Sequence, residues 1–568
     1  MDIHDRINES VYGDTNEGLL PVRIEAARNG TFNAALAVSS SRALPAPAVT
    51  VSDLSHADGK GKLSGSAVTV LYPRLTDGVT RFGSWRRPLV YDGLTAKPGE
   101  KSRSTRPLWL QVRVPAEATP GEYRGTVTVR AEGLARAEQV PLVVRVADWT
   151  LPDALRFRTH VGIYESPQTL SMAYKVPMWS EQHWRLVEGS FAQLARAGND
   201  LLNVQVVEKT QFGNERGYVY WVKQPDGSWG YDFSVLDRFL ALAKKYYGAP
   251  RFVAFQIWHA GGWSHRAVDS PNTVTVKDSK SGKLSSQQVP VFGTAESKKF
   301  WTHALRAIRG RLAEFGMDDS RCIGILSDST APPAALKMFA QIDPKLGWMR
   351  GCHSPSRASK PYGLRGGSFV VLHEHCYGMS IAPPQKRLEP IWALSGRPAA
   401  AYFRSDFDPT PPRGYRMMAE RAIYQGKRGV GRVCFDFWDF AKDAKKRRWA
   451  DIYNRYPESS CAQRRPTLMK LSWAAPEGPV PTIRYELMLE GLQEAEAMIA
   501  IAEAASTQSK KLGPELTAKC KQLWVDRVNM ARAVNGYDGP ATWDFSGWKD
   551  QSARVYGTAA EVAAALKK

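Results

Sequence analysis

The sequence predicts a multidomain protein with an amino-terminal all-β sandwich, an α/β TIM-type (β/α)8 barrel and a helical carboxyl-terminal extension. Three observations carry this expectation. Residues from about 20 to 148 hold short runs of β-formers between turn residues. The chain then changes to apolar strand-like runs alternating with segments of helical period. Beyond about residue 460 it is mainly helical, with Lys/Ala-rich faces. A chain of 568 residues exceeds one ordinary core. The expected divisions are 1–150 for the sandwich, 153–460 for the barrel and 461–568 for the extension.

In the sandwich, Val22-Arg23-Ile24-Glu25-Ala26, Ser66 to Tyr72 and Tyr123 to Val129 read as strands, and Pro120-Gly121-Glu122 as a turn. Eight barrel strands follow at Thr159 to Tyr164, Leu201 to Val207, Phe252 to Trp258, Ile323 to Ser327, Gly347 to Gly351, Phe369 to Leu372, Ala399 to Phe403 and Val433 to Phe437. Helical periodicity separates most of them, as at Trp184 to Ala195 and Phe233 to Ala243. A doubly wound sheet is the alternative, but no glycine-rich nucleotide fingerprint follows an early strand. Two insertions after strand ends would overhang the barrel mouth. One is a hairpin about Pro225-Asp226-Gly227; the other is the long segment His259 to Glu296, of a length that is functional or partly disordered.

Hydrophobic content of 43% and charged content of 23% are those of a soluble globular protein. No apolar run is long enough to span a membrane. The net charge of +21 suits a polyanion. The basic residues are dispersed and no nucleic-acid motif occurs, so an acidic glycan is a better partner than nucleic acid, and a solvated basic surface is the plain alternative to both. Eighteen tryptophans fit sugar stacking or large cores. Six scattered cysteines form no CxxC pair, and no metal site or cofactor is expected. Met1-Asp2-Ile3-His4-Asp5-Arg6 is not a secretion signal, so the protein is expected to be cytoplasmic, or extracellular or periplasmic if a leader precedes this sequence.

The candidate chemistry lies at strand ends, where parallel α/β folds bind ligands. Cys322 to Pro333 reads as a buried strand feeding a helix, with Asp328 at the strand's carboxyl end. Glycoside hydrolysis usually needs two carboxyl groups, and Glu374 in Leu372-His373-Glu374-His375-Cys376-Tyr377 supplies a second. Strand alternation turns His373 and His375 one way and Glu374 the other, so Glu374 either serves as the acid or faces a neighbouring helix and pairs with Arg or Lys. The sugar-contact candidates are Trp258, His259, His353, His373, His375, Tyr377, Arg404, Asp406, Asp436 and Trp438. Each has a structural alternative: Trp258 can pack in the core, and Arg404 with Asp406 can form a local ion pair. Convergence on one rim is the signal.

Ala27-Arg28-Asn29-Gly30, Val51-Ser52-Asp53-Leu54 and Pro107 to Pro115 followed by Pro120 to Gly125 resemble the amino-terminal sandwich of the family-123-like glycoside hydrolases, the group carrying domain of unknown function 4091. That family usually has Glu where Gly30 stands. Pro481-Thr482-Ile483-Arg484 and Leu489-Glu490-Gly491-Leu492-Gln493-Glu494-Ala495-Glu496 resemble its closing signature, with departures at Leu489, Gln493 and Ala495. The resemblance implies a substrate-assisted reaction on terminal β-linked N-acetylgalactosamine, in which an Asp-Glu pair after the fourth barrel strand acts. Asp328 matches the Asp by position; Ser329 stands where the Glu belongs. A serine hydroxyl cannot act as general acid there. Two readings follow: a hydrolase of an amino-sugar or acidic glycan with Asp328 orienting and Glu374 as acid/base, or a catalytically lapsed glycan-binding barrel.

Overall fold

The computed structural model describes residues 2–5, 7–8, 16, 18–59, 61–76, 90–210, 212–257, 272–325, 331–352, 368–375, 399–402, 412–438, 441–443, 448–450, 470–533, 543 and 546–567. Two sheets form the amino-terminal sandwich. One contains β1 (Val22–Arg28), β3 (Ala48–Val51), β4 (Leu54–His56), β5 (Lys62–Leu63), β9 (Gly121–Arg130) and β10 (Glu138–Thr150). The other contains β2 (Gly30–Leu44), β6 (Val68–Thr76), β7 (Val90–Thr95) and β8 (Arg103–Val114). Alternate residues Leu108, Leu110, Val112 and Val114 of β8 and Val140, Leu142, Val144 and Val146 of β10 are buried in one core, as period-two strands packed face to face require. Between β1 and β2 the chain reverses at Asn29, whose φ of 61° suits its short polar side chain. Its Nδ2 donates to Leu151 O at 3.0 Å and Asp153 Oδ1 at 3.1 Å, which ties that turn to the start of the barrel.

All eight expected barrel strands are present: β11 (His160–Tyr164), β12 (Leu201–Gln205), β15 (Phe252–Gln256), β18 (Arg321–Ile325), β19 (Gly347–Cys352), β20 (Val370–His375), β21 (Ala399–Tyr402) and β22 (Gly429–Cys434). They pair in parallel in the order β11-β22-β21-β20-β19-β18-β15-β12, a near-closed barrel. Where β11 and β12 meet, side chains substitute for a ladder: Asp200 Oδ1 accepts from Val161 N at 3.3 Å and Asn199 Oδ1 from Ile163 N at 2.8 Å. One residue from each strand fills the interior, namely Tyr164, Leu201, Ala254, Cys322, Met349, Leu372, Ala400 and Cys434. The opposite strand faces pack on helices α1 (Pro167–Tyr174), α2 (Glu181–Arg196), α3 (Ser234–Tyr247), α4 (Ala295–Phe315), α5 (Pro333–Ile342), α6 (Pro412–Arg416) and α7 (Met418–Tyr424). The eighth strand starts four residues before the expected Val433, because Gly429 and Val430 already pair with His160 and Val161 of β11.

The two insertions form one sheet. The hairpin β13 (Tyr220–Lys223) and β14 (Trp229–Asp232) turns at Gly227, whose φ is 82°. It pairs with β16 (Thr273–Lys277) and β17 (Leu284–Gln288) of the long segment, in the order β14-β13-β16-β17. The loop expected from His259 to Glu296 thus carries a hairpin of its own. Short antiparallel pairs follow at β23 (Ala441–Asp443) with β24 (Arg448–Ala450) and β25 (Ser472–Ala475) with β26 (Gly478–Pro481).

Three long helices close the chain: α8 (Ile483–Thr507), α9 (Ser509–Ala533, broken at Gly513) and α10 (Trp548–Lys567). Helix α8 is buried on nearly every side, wedged between the sandwich and the barrel's outer helices, and Glu486, Glu490 and Glu494 on it meet arginines of other helices. Glu486 takes a fork from Arg196 at 3.0 and 3.0 Å. Glu490 accepts from Asn33 N of β2 at 2.7 Å and pairs with Arg416 of α6; Glu494 pairs with Arg416 at 2.7 Å and Arg527 at 3.0 Å. A Cβ on Gly491 would fall 1.8 Å from Arg416 O, so only glycine allows α6 and α8 to approach this closely. No helix among the described residues is long and apolar enough to cross a membrane.

Candidate active site

The barrel's fourth strand in chain order, β18, ends at Ile325, and Asp328 follows three residues later. Asp328 lies outside the described residues, as do Trp258, His259, His353, Tyr377, Arg404 and Asp406. His375 closes β20 with its backbone, paired with Cys352. Glu374, His373, Asp436 and Trp438 are described in full.

Glu374 points into the barrel, not toward a helix. Its side chain crosses the lumen to the far strands: a Cβ on Gly431 would lie 1.9 Å from its Oε1, and one on Gly162 2.3 Å away. Those two glycines leave the space that the carboxylate occupies. Both oxygens are engaged, Oε2 by Tyr164 Oη at 2.5 Å and Oε1 by His160 Nε2 at 3.2 Å. The other ring nitrogen of His160 lies 2.6 Å from Asp200 Oδ1, and Arg251 Nε lies 3.2 Å from Asp200 Oδ2. A chain of charges therefore runs from the amino-terminal end of the barrel, where Arg251 is partly exposed, to Tyr164 at the end of the first strand. Burial would lower the His160 pKa, but Asp200 and Glu374 outweigh it and hold it at about 9, so the ring is an imidazolium at neutral pH. Burial, reinforced by Glu374, pushes the Tyr164 phenol well up, so it stays a proton donor. Phe212 stacks on Tyr164 at 5.5 Å and Phe437 lies 6.1 Å from Phe212, in one apolar cluster, and Glu374 is fully buried.

His373 takes the opposite face, in register with Arg350 of β19, and is buried. Burial, with Arg350 and Lys427 near, lowers its pKa to about 4, so it is neutral. Asp436 lies behind the barrel wall, where it accepts from Ser166 N at 2.6 Å and from Ser190 Oγ of α2 at 2.8 Å. Burial raises its pKa to about 6. The neighbouring Glu165 is raised to about 8 by burial and by Asp436. Trp438 is buried, its Nε1 donating to Ser472 O at 2.9 Å. Glu208 pins the insertion sheet, accepting from Arg216 Nη1 at 2.9 Å and Thr275 Oγ1 at 2.7 Å. Asp436 is thus engaged by protein groups through both oxygens and Glu208 through one, whereas Glu165 Oε2 and Glu208 Oε2 are buried without a hydrogen-bond partner.

Sequence reasoning did not single out His160, Tyr164, Asp200 or Gln205. The first two alternate with Gly162 as His-x-Gly-x-Tyr, a period-two signal that aims all three inward. Gln205, at the carboxyl end of β12, is buried with both amide atoms unpartnered, while nearby Asn203 Oδ1 accepts from Gln256 Nε2 at 3.1 Å. Such an orphaned amide inside a barrel is a place for water or ligand.

A parallel eight-stranded barrel beside a β-sandwich is an architecture that barrel glycoside hydrolases share with proteins of other functions. Residues 164–501 match the model of the glycoside hydrolase 123 catalytic domain, and residues 18–131 that of the glycoside hydrolase 123 N-terminal domain. The chain belongs to glycoside hydrolase family 123. Among solved structures, it is similar to a family 123 glycoside hydrolase from Clostridium perfringens described for glycolipid glycan hydrolysis. That likeness has a TM-score of 0.67 and 14% identity, covering 96% of this chain and 98% of the other. Parabacteroides merdae β-glucuronidase matches with a TM-score of 0.25 at 10% identity, over 75% of this chain and 48% of that one. No curated protein matches the chain.

Proposed function

We propose that the protein hydrolyses β-linked N-acetylhexosaminides, terminal N-acetylgalactosamine first among them, within a larger and acidic glycan. In this reading the substrate's 2-acetamido oxygen attacks the anomeric carbon, and Asp328 orients and stabilises that amide. The observation that carries it is the position of Asp328 three residues past the fourth strand of a family 123 barrel. The Clostridium perfringens relative, which acts on a glycolipid glycan, and the charge of +21 support a glycan of this kind.

The proton for the leaving oxygen is the harder part. Ser329 stands in the position of the family's acid, and Glu374 is fully buried with both oxygens bonded. Glu374 is better suited to fix Tyr164 and the imidazolium of His160 than to reach a leaving group; it is proposed as a positioning residue. The same two facts favour a second reading, a glycan-binding barrel without turnover.

Leaving-group chemistry separates the cases. A nitrophenyl glycoside departs without a proton, whereas an alkyl glycoside requires one. Turnover of both β-N-acetylgalactosaminides, lost in Asp328→Asn, supports the full hydrolase with its acid elsewhere on the rim. Turnover of the nitrophenyl compound alone means that the nucleophilic half works and the acid is gone. Binding of either without turnover sinks the hydrolase and leaves the binding protein.

A further inference from the structure

The sandwich and the barrel meet at a cavity of about 650 Å³ that no part of the barrel reading uses. One wall is sandwich, from β6, β7, β8 and the turn before β8; the other is the β25–β26 hairpin, which contributes Trp473. That hairpin hangs directly from the carboxyl end of the eighth barrel strand. Leu471 N donates to Cys434 O at 2.9 Å and Ser472 N to Phe435 O at 3.0 Å. The hairpin wall of the cavity is thus anchored at the carboxyl end of the eighth strand, the end at which barrels bind their substrates.

Its chemistry is cationic and aromatic together. Among the described residues, Arg74, Lys97 and Lys101 line it together with the more committed Arg103 and Arg106, and Glu100 and Glu477 are the carboxylates there. The Arg74 guanidinium is fixed at the wall by neutral acceptors, Thr95 Oγ1 at 2.9 Å and Lys97 O at 3.3 Å, so its charge is not cancelled by a carboxylate there. It packs against the backbone of Gly99, where a Cβ would lie 1.9 Å from its Nη1. Trp473 is held as firmly. A Cβ on Gly93 of β7 would come 2.8 Å from its side chain, so the indole rests on bare backbone with one face partly exposed. Tyr72 adds a second half-buried ring. A fixed indole face suits the C–H face of a pyranose, and a preorganised guanidinium suits a carboxylate or sulfate.

We propose that this seam is a second saccharide site, which takes an anionic sugar residue, uronate or sulfated, of the glycan whose end enters the barrel. The assignment rests on the glycan-hydrolase reading only for what that sugar is joined to. The probes are a sulfated N-acetylgalactosamine disaccharide, a uronate-containing disaccharide and a neutral disaccharide, titrated calorimetrically into the full chain. At least one anionic probe binds about tenfold more tightly than the neutral one, and Trp473→Ala and the exposed-site change Lys101→Glu each abolish that preference. Which probe shows it identifies the anionic group. Equal binding of the neutral sugar, a preference untouched by either variant, or displacement by duplex DNA with the same variant losses overturns the saccharide site. Nitrophenyl glycoside turnover in the same variants stays at the parent level, because that small substrate does not span to the seam. A chain that turns over no glycoside but keeps Trp473-dependent binding rejects the hydrolase and keeps this site; turnover without that binding does the reverse.

Discussion

Two regions of this molecule bury carboxylates in quantity, and they do it differently. Along α8, Glu486, Glu490 and Glu494 meet the guanidinium groups of Arg196, Arg416 and Arg527, drawn from other helices. In the barrel, Glu374 meets one imidazolium and one phenol in space left by two glycines. Arginine stays charged at any pH the protein meets, so the α8 network is a permanent tie between layers. Histidine does not, so the barrel chain is conditional on pH. The lesson is that burial of charge does not mark a reaction centre; the partner's chemistry says what the burial is for.

The largest test of that contrast is Arg527→Met. Arg527 is buried against both Glu420 and Glu494, and its loss leaves Glu420 desolvated without a guanidinium and Glu494 with Arg416 alone. Breaking a buried ion pair of this kind costs about 3–5 kcal/mol. Urea unfolding of the variant should show that loss; one below about 1 kcal/mol would mean that water reaches the network and that α8 is not the tie described.

The barrel chain should differ in its response to pH. The folded pKa of His160 is raised from 6.5 to about 9. Its contribution is therefore fully present below pH 6.5 and is lost as pH climbs to about 9, on the order of 3 kcal/mol for a fully buried group. Glu165, raised to about 8, also costs stability as pH rises, so the parent slope alone does not isolate the histidine. The difference between the parent and His160→Gln does. Unfolding free energies that run parallel for the two from pH 6 to 9 would remove the imidazolium from the account.

Glu374→Gln is the next smaller change and bears on function. It keeps an acceptor for Tyr164 but removes the charge opposite His160, with an expected loss of about 1–3 kcal/mol. As a positioning residue it should lower kcat for a nitrophenyl glycoside modestly and move the alkaline fall of activity to lower pH, because Glu374 helps to raise the His160 pKa. A loss of about 10²–10⁴ in kcat for alkyl glycosides only, as expected of a deleted general acid, would show that its carboxyl does reach the leaving group.

Much of this was legible in the sequence, and the illegible part has a physical cause. All eight barrel strands announce themselves by apolar runs, since a parallel strand is buried on both faces. The opposite facing of His373 and Glu374 followed from strand alternation, but which of them faced the lumen did not. That depended on Gly162 and Gly431, one far upstream and one downstream of it. Asp436 and Trp438 look like rim residues by position, yet their partners are Ser190 on α2 and Ser472 on β25, contacts that only the folded chain creates. Helix α8 is the clearest case. Its acidic residues were legible only as part of a signature on a helical extension, because periodicity cannot show that three arginines from elsewhere will meet them.

The smallest effect concerns one departure from the family signature on that helix. Gln493 stands where the family carries Glu, and its amide makes two bonds with one residue of β2: Oε1 accepts from Thr31 N at 2.8 Å and Nε2 donates to Thr31 O at 2.9 Å. A carboxylate can make the first bond but faces the carbonyl with a lone pair at the second. Gln493→Glu should therefore cost about 1 kcal/mol, the value of one hydrogen bond, and the cost should shrink at acid pH, where a protonated carboxyl regains the donor. Arg416 and Arg527 are already committed to other carboxylates, so no guanidinium is released to rescue the new charge. A neutral or stabilising outcome at pH 7 would instead show that α8 holds cationic potential in excess of its acids, and the account of its arginines as fully shared among buried carboxylates would have to be given up.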